Sequence, residues 1–382
     1  GHLVGDEEVG EDKIEKEAKE QRKTPQEIAE YWQSQYFQDL KSLDILKPDI
    51  SPRATEHISE MIDFIKVLIK KGFAYEVLGN VYFEVKKFTG YGQLSGRRTS
   101  EEEEGKRVQV DQNKKNPIDF VLWLKADKNH LQKWPSPWGE GYPGWHLECS
   151  VMSAKYLGQP FDIHGSANEH IFPHHENEIA QSEAYAGMPL ANFWVHSGML
   201  TINGQKMAKS AKNYVTIKDA LKEADKDTIK IAFMGTHWKK PFNWSEEALK
   251  EARIVKDRLA RASMEAQSIK TGIQKELNEA LENDFNIPVA LSIVLNNLSR
   301  LSIDDFEYIK KVFGLKLTLD IAISKQQEEM VKDRNNARDK GDYKEADKLR
   351  TELEKEGIIL EDTPSGTRII KISVLKKGGF LN

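Results

Sequence analysis

The sequence has a single cysteine, no excess of basic residues and no long apolar run. One Cys among 382 residues excludes an intramolecular disulfide framework and is typical of a reducing compartment. Lys and Arg number 56 against 61 Asp and Glu, so the net charge of −5 excludes a whole-molecule basic field, and any RNA contact must use local patches. The absence of a run of about 18 apolar residues excludes an ordinary membrane-spanning helix.

The composition supports a folded protein of several domains. Hydrophobic residues make up 39% of the chain and aromatic residues 9%, and the 8 Trp can build a core. A length of 382 residues predicts two or three domains. The sequence starts at Gly1 without an initiator Met and without the apolar stretch of a signal peptide. We therefore expect the chain to start partway into a longer protein.

Hydrophobic periodicity predicts helices first, then a β-hairpin, then an α/β layer. Thr24 to Glu27 has the composition of a helix start, and the apolar and aromatic stripe from Ile28 to Leu43 is expected to be core. A second amphipathic helix follows from Ile58 to Ile69. Further predicted elements are strands at 74–77, 81–85 and 118–124, mixed strands and helices at 151–221, helices at 289–301 and 326–354, and a β element at 357–360 and 368–374.

The segment from Phe172 to Glu178 is the most informative part of the sequence. His174 and Glu178 are four residues apart, so one helix face carries both, which is the spacing of two metal ligands from one turn. The alternative is a helix N-terminus with favourable acidic residues and a partly buried His. Cys149 lies upstream, and although a lone Cys is usually an inert hydrophobe, it would complete a zinc site with S, N and O ligands.

Two further segments are candidate ligand sites. Asp162 to Gly165 leads from a strand-like stretch into small residues, which let a ligand approach the backbone, although an ordinary strand-to-helix turn has the same pattern. Lys206-Met207-Ala208-Lys209-Ser210 follows the turn dipeptide Asn203-Gly204, and its two Lys and one Ser could hold a polyphosphate. A basic surface loop has the same composition, so spacing alone leaves this choice open.

Together, these motifs resemble cysteinyl-tRNA synthetase. Each piece alone is unspecific, but their order and spacing match that family through nearly the whole chain. The segments that carry the resemblance are Pro52 to Ile58, Trp134 to Gly139, Pro143 to Ser150, Asp162 to Gly165, Phe172 to Ala184, Lys206 to Ser210, Asp284 to Asn286, Ala337-Arg338, Ala346-Asp347 and Gly357 to Pro364.

The resemblance implies the α/β fold of a class I synthetase, with a Rossmann-type catalytic domain, an inserted α+β segment, an α-helical bundle and a small C-terminal α+β region. The family's first strand, first zinc-binding Cys and His-x-Gly-His ATP motif should precede Gly1, so we expect an N-terminally truncated synthetase with weak or absent adenylate formation. The expected regions are the helical part of the catalytic core at 1–72, the inserted connective region at 73–143, the second half of the catalytic domain at 144–225, a helical stem at 226–315 and a tRNA/anticodon-binding region at 316–382.

The resemblance implies a zinc site that selects the substrate. Cys149, His174 and Glu178 would bind one Zn²⁺, and Trp145 and His164 would line the pocket for L-cysteine. Cysteine differs from serine only by S for O, and pocket shape discriminates weakly between such isosteres. Because zinc binds a soft thiolate far better than a hydroxyl, coordination would supply the selectivity without editing.

The resemblance also implies the chemistry at the nucleotide. Lys206 and Lys209 are the expected catalytic lysines, which position ATP and stabilise charge while the cysteine carboxylate attacks the α-phosphorus. A hydroxyl of the terminal ribose of tRNA(Cys) would then attack the cysteinyl-adenylate. The residues expected to contact ATP, which binds with Mg²⁺, are His164, Gly165, Glu169, Met207, Lys209 and Ser210.

Three departures from the family pattern concern residues that are expected to lie near ATP. Ala208 replaces the usual Ser of the signature loop and removes a hydroxyl donor. Ala211-Lys212 stands where Leu-Gly is usual, which would stiffen the loop. Ser166-Ala167 and Glu169 replace a Gly-Gly and an Asp, and the longer Glu could shift contacts to the ribose.

Two alternatives stay open at this point: the cysteine ligase of mycothiol synthesis, and a degenerate non-catalytic copy that binds zinc and RNA. The family-like tail after Gln326 favours the tRNA enzyme over the mycothiol enzyme. Basic residues between Val331 and Arg350 are candidate contacts to the tRNA backbone, and a solvated amphipathic helix pair is an equally good interpretation. We expect a cytoplasmic monomer that does not bind a membrane.

Overall fold

The computed structural model describes residues 13–97, 112–128, 130–208, 213–267, 272–318, 324–356, 358–363 and 366–371. The chain divides into two compact units. The first comprises Gly1–Ala252 and Leu277–Ser292, and the second comprises Arg253–Glu276 and Ile293–Asn382. Within the described residues, no helix is long and apolar enough to span a membrane.

Helices α1 (Lys13–Gln21), α2 (Pro25–Ser42) and α3 (Ile58–Lys70) form one part of the first unit. The predicted start of α2 is confirmed. The hydroxyl of Thr24 accepts the backbone N–H of Glu27 at 3.2 Å, and the Glu27 carboxylate accepts the N–H of Thr24 at 2.7 Å. This capping box stabilises the helix because each side chain satisfies a backbone donor that has no partner within the helix.

The prediction that the stripe from Ile28 to Leu43 is core is wrong for its exposed aromatic residues, although Ile28 and Leu43 are buried. Ile28 is the one residue of α2 that is buried, whereas Tyr31, Trp32 and Tyr36 are 52%, 50% and 57% exposed. Helix α1, which packs against α2, is short and highly charged and therefore covers only a narrow part of the stripe. The indole N–H of Trp32 accordingly donates to the carboxylate of Glu17, at 3.2 Å, on an exposed surface.

An antiparallel sheet of four strands packs against α3. Its strands β1 (Ala74–Val77), β2 (Asn80–Phe83), β3 (Phe120–Lys125) and β4 (Gly141–Pro143) lie in the order β1-β2-β3-β4. The first two form the predicted hairpin, with Ala74 opposite Phe83. The buried side chains between this sheet and the helices include Met61, Phe64, Ile65, Leu68, Val81, Phe83, Phe120, Leu122 and Leu147.

A βαβ unit follows and carries most of the candidate site. It consists of β5 (Phe161–Ala167), α5 (Glu176–Ala186) and β6 (Ala191–Ser197), and is preceded by α4 (Trp145–Leu157). The two strands are parallel, with His164 of β5 opposite Trp194 of β6. Parallel neighbours require a crossover connection, which α5 provides. This unit confirms the α/β layer predicted for residues 151–221.

The rest of the described chain is mostly helical, as predicted. A small sheet in the first unit has the strand order β8-β7-β9, in which β7 pairs antiparallel with β8 and parallel with β9. The remaining elements are β7 (Leu200–Ile202), β8 (Gln205–Lys206), α6 (Ile217–Glu223), α7 (Lys226–Met234), β9 (Phe242–Trp244), α8 (Glu246–Glu265), α9 (Ile273–Glu282), α10 (Ile287–Asn296), α11 (Ile303–Phe313), α12 (Lys325–Asp339), α13 (Tyr343–Lys355), β10 (Ile358–Thr363) and β11 (Gly366–Lys371).

Arginines hold the helix pair α12 and α13 to the β10–β11 hairpin in the second unit. The guanidinium of Arg334 is buried and donates to both carboxylate oxygens of Asp362, each at 2.6 Å, and Arg338 also pairs with that carboxylate. Arg350 donates to the backbone oxygen of Leu360 at 2.8 Å. Arg334 therefore does not face solvent as a tRNA contact would. Between Val331 and Arg350, the exposed basic residues are Lys332, Lys340, Lys344 and Lys348.

A buried carboxylate joins the loop at residues 90–97 to the start of α5. Glu176 is 1% exposed and accepts the backbone N–H groups of Gly92 and Ser95 at 2.9 and 2.6 Å. Beside it, the Tyr91 hydroxyl donates to Oδ1 of Asn177. Gly92 has a φ of +90°, and a Cβ at this position would lie 2.1 Å from a backbone oxygen. The loop conformation therefore requires glycine, and the Glu176 contacts fix the first turn of α5.

Replacing this carboxylate by its amide tests the importance of the contact. Glu176→Gln leaves one backbone N–H facing an NH₂ group, so we expect the free energy of unfolding to fall by about 1–3 kcal/mol. Urea unfolding followed by Trp fluorescence measures this change, since all 8 Trp lie in the first unit. The control Glu76→Gln, on an exposed position of β1, should stay within about 0.5 kcal/mol of the wild type. Equal effects of the two substitutions on the free energy of unfolding would contradict the stabilising role of the Glu176 contacts.

Candidate functional site

The first turn of α4 lies against strand β3 because residue 144 is glycine. A Cβ on Gly144 would lie 2.3 Å from the backbone oxygen of Val121, a distance that real Cβ atoms do not adopt. Trp145 begins α4 directly after this contact, and Cys149 follows one turn later. The tight approach of helix and sheet therefore sets the position of both side chains.

The structure brings Cys149, His174 and Glu178 together. One potential ligand atom from each residue (Sγ, a ring nitrogen and a carboxylate oxygen) lies within 4.8 Å of the other two. His174 belongs to a wide turn, Ile171–His175, that leads into α5, and Glu178 lies in the first turn of α5. Nε2 of His174 is 2.8 Å from Oε1 of Glu178. The two side chains therefore converge on one point, as their four-residue spacing predicts.

Glu178 is a fully buried carboxylate with one satisfied oxygen. Its Oε2 is 2.7 Å from Nε2 of His164 in a hydrogen bond, whereas Oε1 has no partner in hydrogen-bond geometry among the described residues. Burial raises the pKa of Glu178, but the imidazoles of His164 and His174 outweigh this effect and lower the pKa to about 2. The site therefore contains a buried negative charge whose second oxygen has only the 2.8 Å contact with His174, and such a charge favours a cation.

The donor set fits zinc. Burial raises the pKa of the Cys149 thiol well above its usual value, and the negative charges of Glu178 and Glu148 raise it further. A divalent cation reverses this effect, since it stabilises the thiolate and becomes the largest charge in the site. One sulfur, one imidazole nitrogen and one carboxylate oxygen are ligands that Zn²⁺ accepts.

A second group of potential ligands shares Glu178. One ligand atom from each of His164, His175 and Glu178 also lies within 4.8 Å of the others. However, the hydrogen bond between Nε2 of His164 and Oε2 of Glu178 already accounts for both of these atoms. We therefore interpret His164 as a partner that orients Glu178 and not as a ligand.

The residues expected to line the amino-acid pocket adjoin this group. The ring of Trp145 lies 4.3 Å from that of His174, measured between centroids, and His164 stacks on Trp194 at 4.7 Å. Gly165 follows His164 on β5, and a Cβ there would have a single neighbour within 4 Å, the backbone oxygen of Val195 at 3.8 Å. Packing therefore does not require glycine at this position, which leaves open space beside His164.

Sequence reasoning missed several polar residues of the site. Nδ1 of His146 lies 2.8 Å from Nδ1 of His174, and Nδ1 of His175 lies 2.8 Å from Nε2 of His196. Burial lowers the pKa values of His146 and His175 to about 3, so both imidazoles are neutral. A signal for His146 exists, because it precedes Cys149 by three residues and so shares its helix face. His196 lies on β6, and no spacing in the sequence links it to the site.

Lys206 and Glu169, two residues of the predicted nucleotide site, form an ion pair. The ammonium of Lys206 is 2.9 Å from Oε2 of Glu169, and both side chains are exposed. Asn213 joins the two ends of the signature loop, because its Oδ1 accepts the N–H of Ala208 and its Nδ2 donates to the backbone oxygen of Lys206. Met207 donates its N–H to Leu200 at 3.2 Å. Lys209 and Ser210 lie outside the described residues, as do Ala211 and Lys212.

Two family models match the chain. The model of the class I (C) tRNA synthetase catalytic domain matches residues 8–254, and that of the cysteinyl-tRNA ligase anticodon-binding domain matches residues 321–369. The curated cysteine–tRNA ligase of Chlorobaculum tepidum is 38% identical over 96% of this chain and 83% of the relative. That of Thermococcus onnurineus is 39% identical over 95% of this chain and 85% of the relative.

A solved structure agrees on the fold. Methionyl-tRNA synthetase of Mycobacterium tuberculosis, in complex with methionyl-adenylate, superposes with a TM-score of 0.55 over 78% of this chain and 73% of that chain, at 12% sequence identity. This likeness confirms the class I synthetase fold. The curated relatives favour the tRNA ligase over the mycothiol enzyme and over a non-catalytic copy. The chain therefore belongs to the cysteine–tRNA ligase family of class I aminoacyl-tRNA synthetases.

Proposed function

We propose that this chain binds Zn²⁺ through Cys149, His174 and Glu178, uses that site to select L-cysteine, activates the amino acid with ATP and transfers it to tRNA(Cys). One observation carries the proposal. A thiol sulfur, an imidazole nitrogen and an oxygen of the fully buried Glu178 carboxylate lie within 4.8 Å of one another.

Selection of the amino acid follows from the donor set and its surroundings. Cys149, His174 and Glu178 would hold Zn²⁺, which would bind the soft thiolate of L-cysteine in preference to the hydroxyl of serine. Trp145, whose ring lies 4.3 Å from that of His174, and His164, which is bonded to Glu178, adjoin the proposed ligands and would limit the size of the side chain that can enter. The hydrogen bond from His164 holds the Glu178 carboxylate so that Oε1 faces His174. Selection by coordination would not require a second site that removes mischarged serine.

Activation places the cysteine carboxylate beside the signature loop. A carboxylate oxygen attacks the α-phosphorus of ATP, a new O–P bond forms, and the bond to pyrophosphate breaks. Lys206 supplies positive charge for the polyphosphate, and Glu169 holds its ammonium in place before the nucleotide binds. Positioning and charge stabilisation dominate the rate of such a displacement, because the side chains form no covalent bond. Lys209, Ser210 and Met207 of the same loop, with Gly165 of β5, complete the proposed ATP contacts.

The second unit is proposed to bind tRNA(Cys). Residues 321–369 match the anticodon-binding domain of cysteinyl-tRNA ligases. The exposed Lys332, Lys344 and Lys348 of α12 and α13 are among the residues available to the RNA backbone. Arg334 and Arg338 instead hold Asp362 and stabilise the hairpin on which that carboxylate lies.

Substitution of the proposed ligands tests the metal site. We expect Cys149→Ser and His174→Asn each to weaken zinc binding by more than about 100-fold, since even residues that only hydrogen-bond a ligand contribute about 10–100-fold. Competition with a chromophoric chelator measures the zinc affinity. The control His237→Asn removes an imidazole that lies 3.8 Å from the Asp284 carboxylate outside the site, and it should bind zinc as the wild type does. Wild-type affinity in both ligand variants would exclude the proposed ligand set.

The nucleotide assignment is tested with Lys206→Gln. Because this substitution removes one charge-assisted contact, worth roughly 1.5–3 kcal/mol, we expect the Kd for ATP to rise by at least about tenfold. Calorimetric titration with ATP gives this constant. Lys239→Gln is a matched control, because Lys239 also forms an exposed ion pair, 2.6 Å from Asp284. If the two variants bound ATP with equal affinity, Lys206 would have no role at the nucleotide.

A further inference from the structure

We propose that His146 is a positioning residue that holds the imidazole of His174 with its Nε2 directed at the metal. The proposal rests on the proposed function, since it takes Cys149, His174 and Glu178 as the ligands. Neither the position of His146 next to Trp145 in the sequence nor the family resemblance indicated this role.

The two ring nitrogens of His174 face different partners. Its Nε2 is 2.8 Å from Oε1 of Glu178, on the side where the ligand atoms converge. Its Nδ1 is 2.8 Å from Nδ1 of His146 on the other side of the ring. His174 is 4% exposed, so water does not compete for these contacts. The ring is therefore held between the metal site and one imidazole.

Metal binding fixes the protons in this pair. A metal-bound Nε2 uses its lone pair for coordination, so a neutral His174 carries its single proton on Nδ1. That N–H then donates to Nδ1 of His146, which must be an acceptor and carries its own proton on Nε2. The opposite arrangement, with the proton of His174 on Nε2, would abolish its use as a ligand. With its proton on Nε2, His146 stabilises the tautomer of His174 that can bind a metal.

The fold holds His146 as firmly as it holds the ligands. Its ring meets that of Phe120 edge-on at 5.8 Å and lies nearly parallel to that of Trp145 at 6.2 Å. It also precedes Cys149 by three residues on α4, so one helical turn presents both the sulfur ligand and the acceptor for the nitrogen ligand. A shift of this turn would disturb two ligands at once. Glu178 has an equivalent partner in His164.

Removal and restoration of the acceptor test the proposal. His146→Phe keeps a flat ring for packing but has no acceptor, so we expect the Kd for Zn²⁺ to rise about 10–100-fold. In His146→Asn the side-chain oxygen occupies the place of Nδ1, and we expect it to recover most of the affinity. His146→Gln places its oxygen near the position of Nε2, and we expect it to bind zinc as weakly as the Phe variant. The affinities are measured by chelator competition, and the absorption spectrum of the Co²⁺-loaded protein reports the ligand geometry.

His57→Phe is the matched control. His57 is also a buried histidine of the first unit, 2% exposed, with its ring nitrogens bonded to the backbone oxygen of Arg53 and the hydroxyl of Tyr156. We expect this variant to lose thermal stability and to keep its zinc affinity, which separates a structural effect from a positioning effect.

The outcomes separate this proposal from the one on which it rests. Failure of the wild type to bind zinc would overturn the ligand set, and the role of His146 with it. Wild-type affinity in His146→Phe, or equal loss in His146→Asn and His146→Phe, would overturn the role of His146 alone. If His146→Phe does not fold, the comparison of the Asn and Gln variants decides, and equal zinc affinities of these two would also reject the proposal.

Discussion

The buried carboxylate of Glu178 is the constraint on which the site depends. A charge that is fully removed from water is costly unless each of its oxygens has a partner. One oxygen accepts from His164, and the other faces His174 without hydrogen-bond geometry. The thiol of Cys149, whose pKa is raised by burial and by this carboxylate, lies in the same group. A soft divalent cation stabilises the carboxylate and the thiolate together, and nothing else among the described contacts does so.

Two tight contacts set the positions of the proposed metal ligands. Gly144 lets the first turn of α4, with Trp145 and Cys149, approach strand β3. On the other side, the buried carboxylate of Glu176 ties the loop at 90–97 to the start of α5, between the positions of His174 and Glu178. Neither contact takes part in the chemistry. Both restrict the distance between ligands that are far apart in sequence, which is the requirement of a metal site.

Much of the site could be predicted from sequence because its signals are local. The four-residue spacing of His174 and Glu178 follows from helix geometry. Residue chemistry also indicated Cys149 and the segment from Lys206 to Ser210, and the family resemblance implied their roles. The stripe on α2 was predicted wrongly, because amphipathic spacing shows that a face is apolar but not what covers it, and Tyr31 is half exposed. The pairing of Arg334 with Asp362 depends on tertiary packing. The contact of His146 with His174 depends on it too, although the three-residue spacing to Cys149 places His146 on the same helix face.

X-ray absorption at the zinc edge tests the central claim most directly. The chain has one Cys, so the account predicts a single sulfur from the protein at about 2.3 Å from zinc, with nitrogen and oxygen as the other ligands. Addition of L-cysteine should increase the sulfur number from one to two, and addition of L-serine should leave it at one. A zinc environment without sulfur, or one that L-cysteine does not change, would contradict the account.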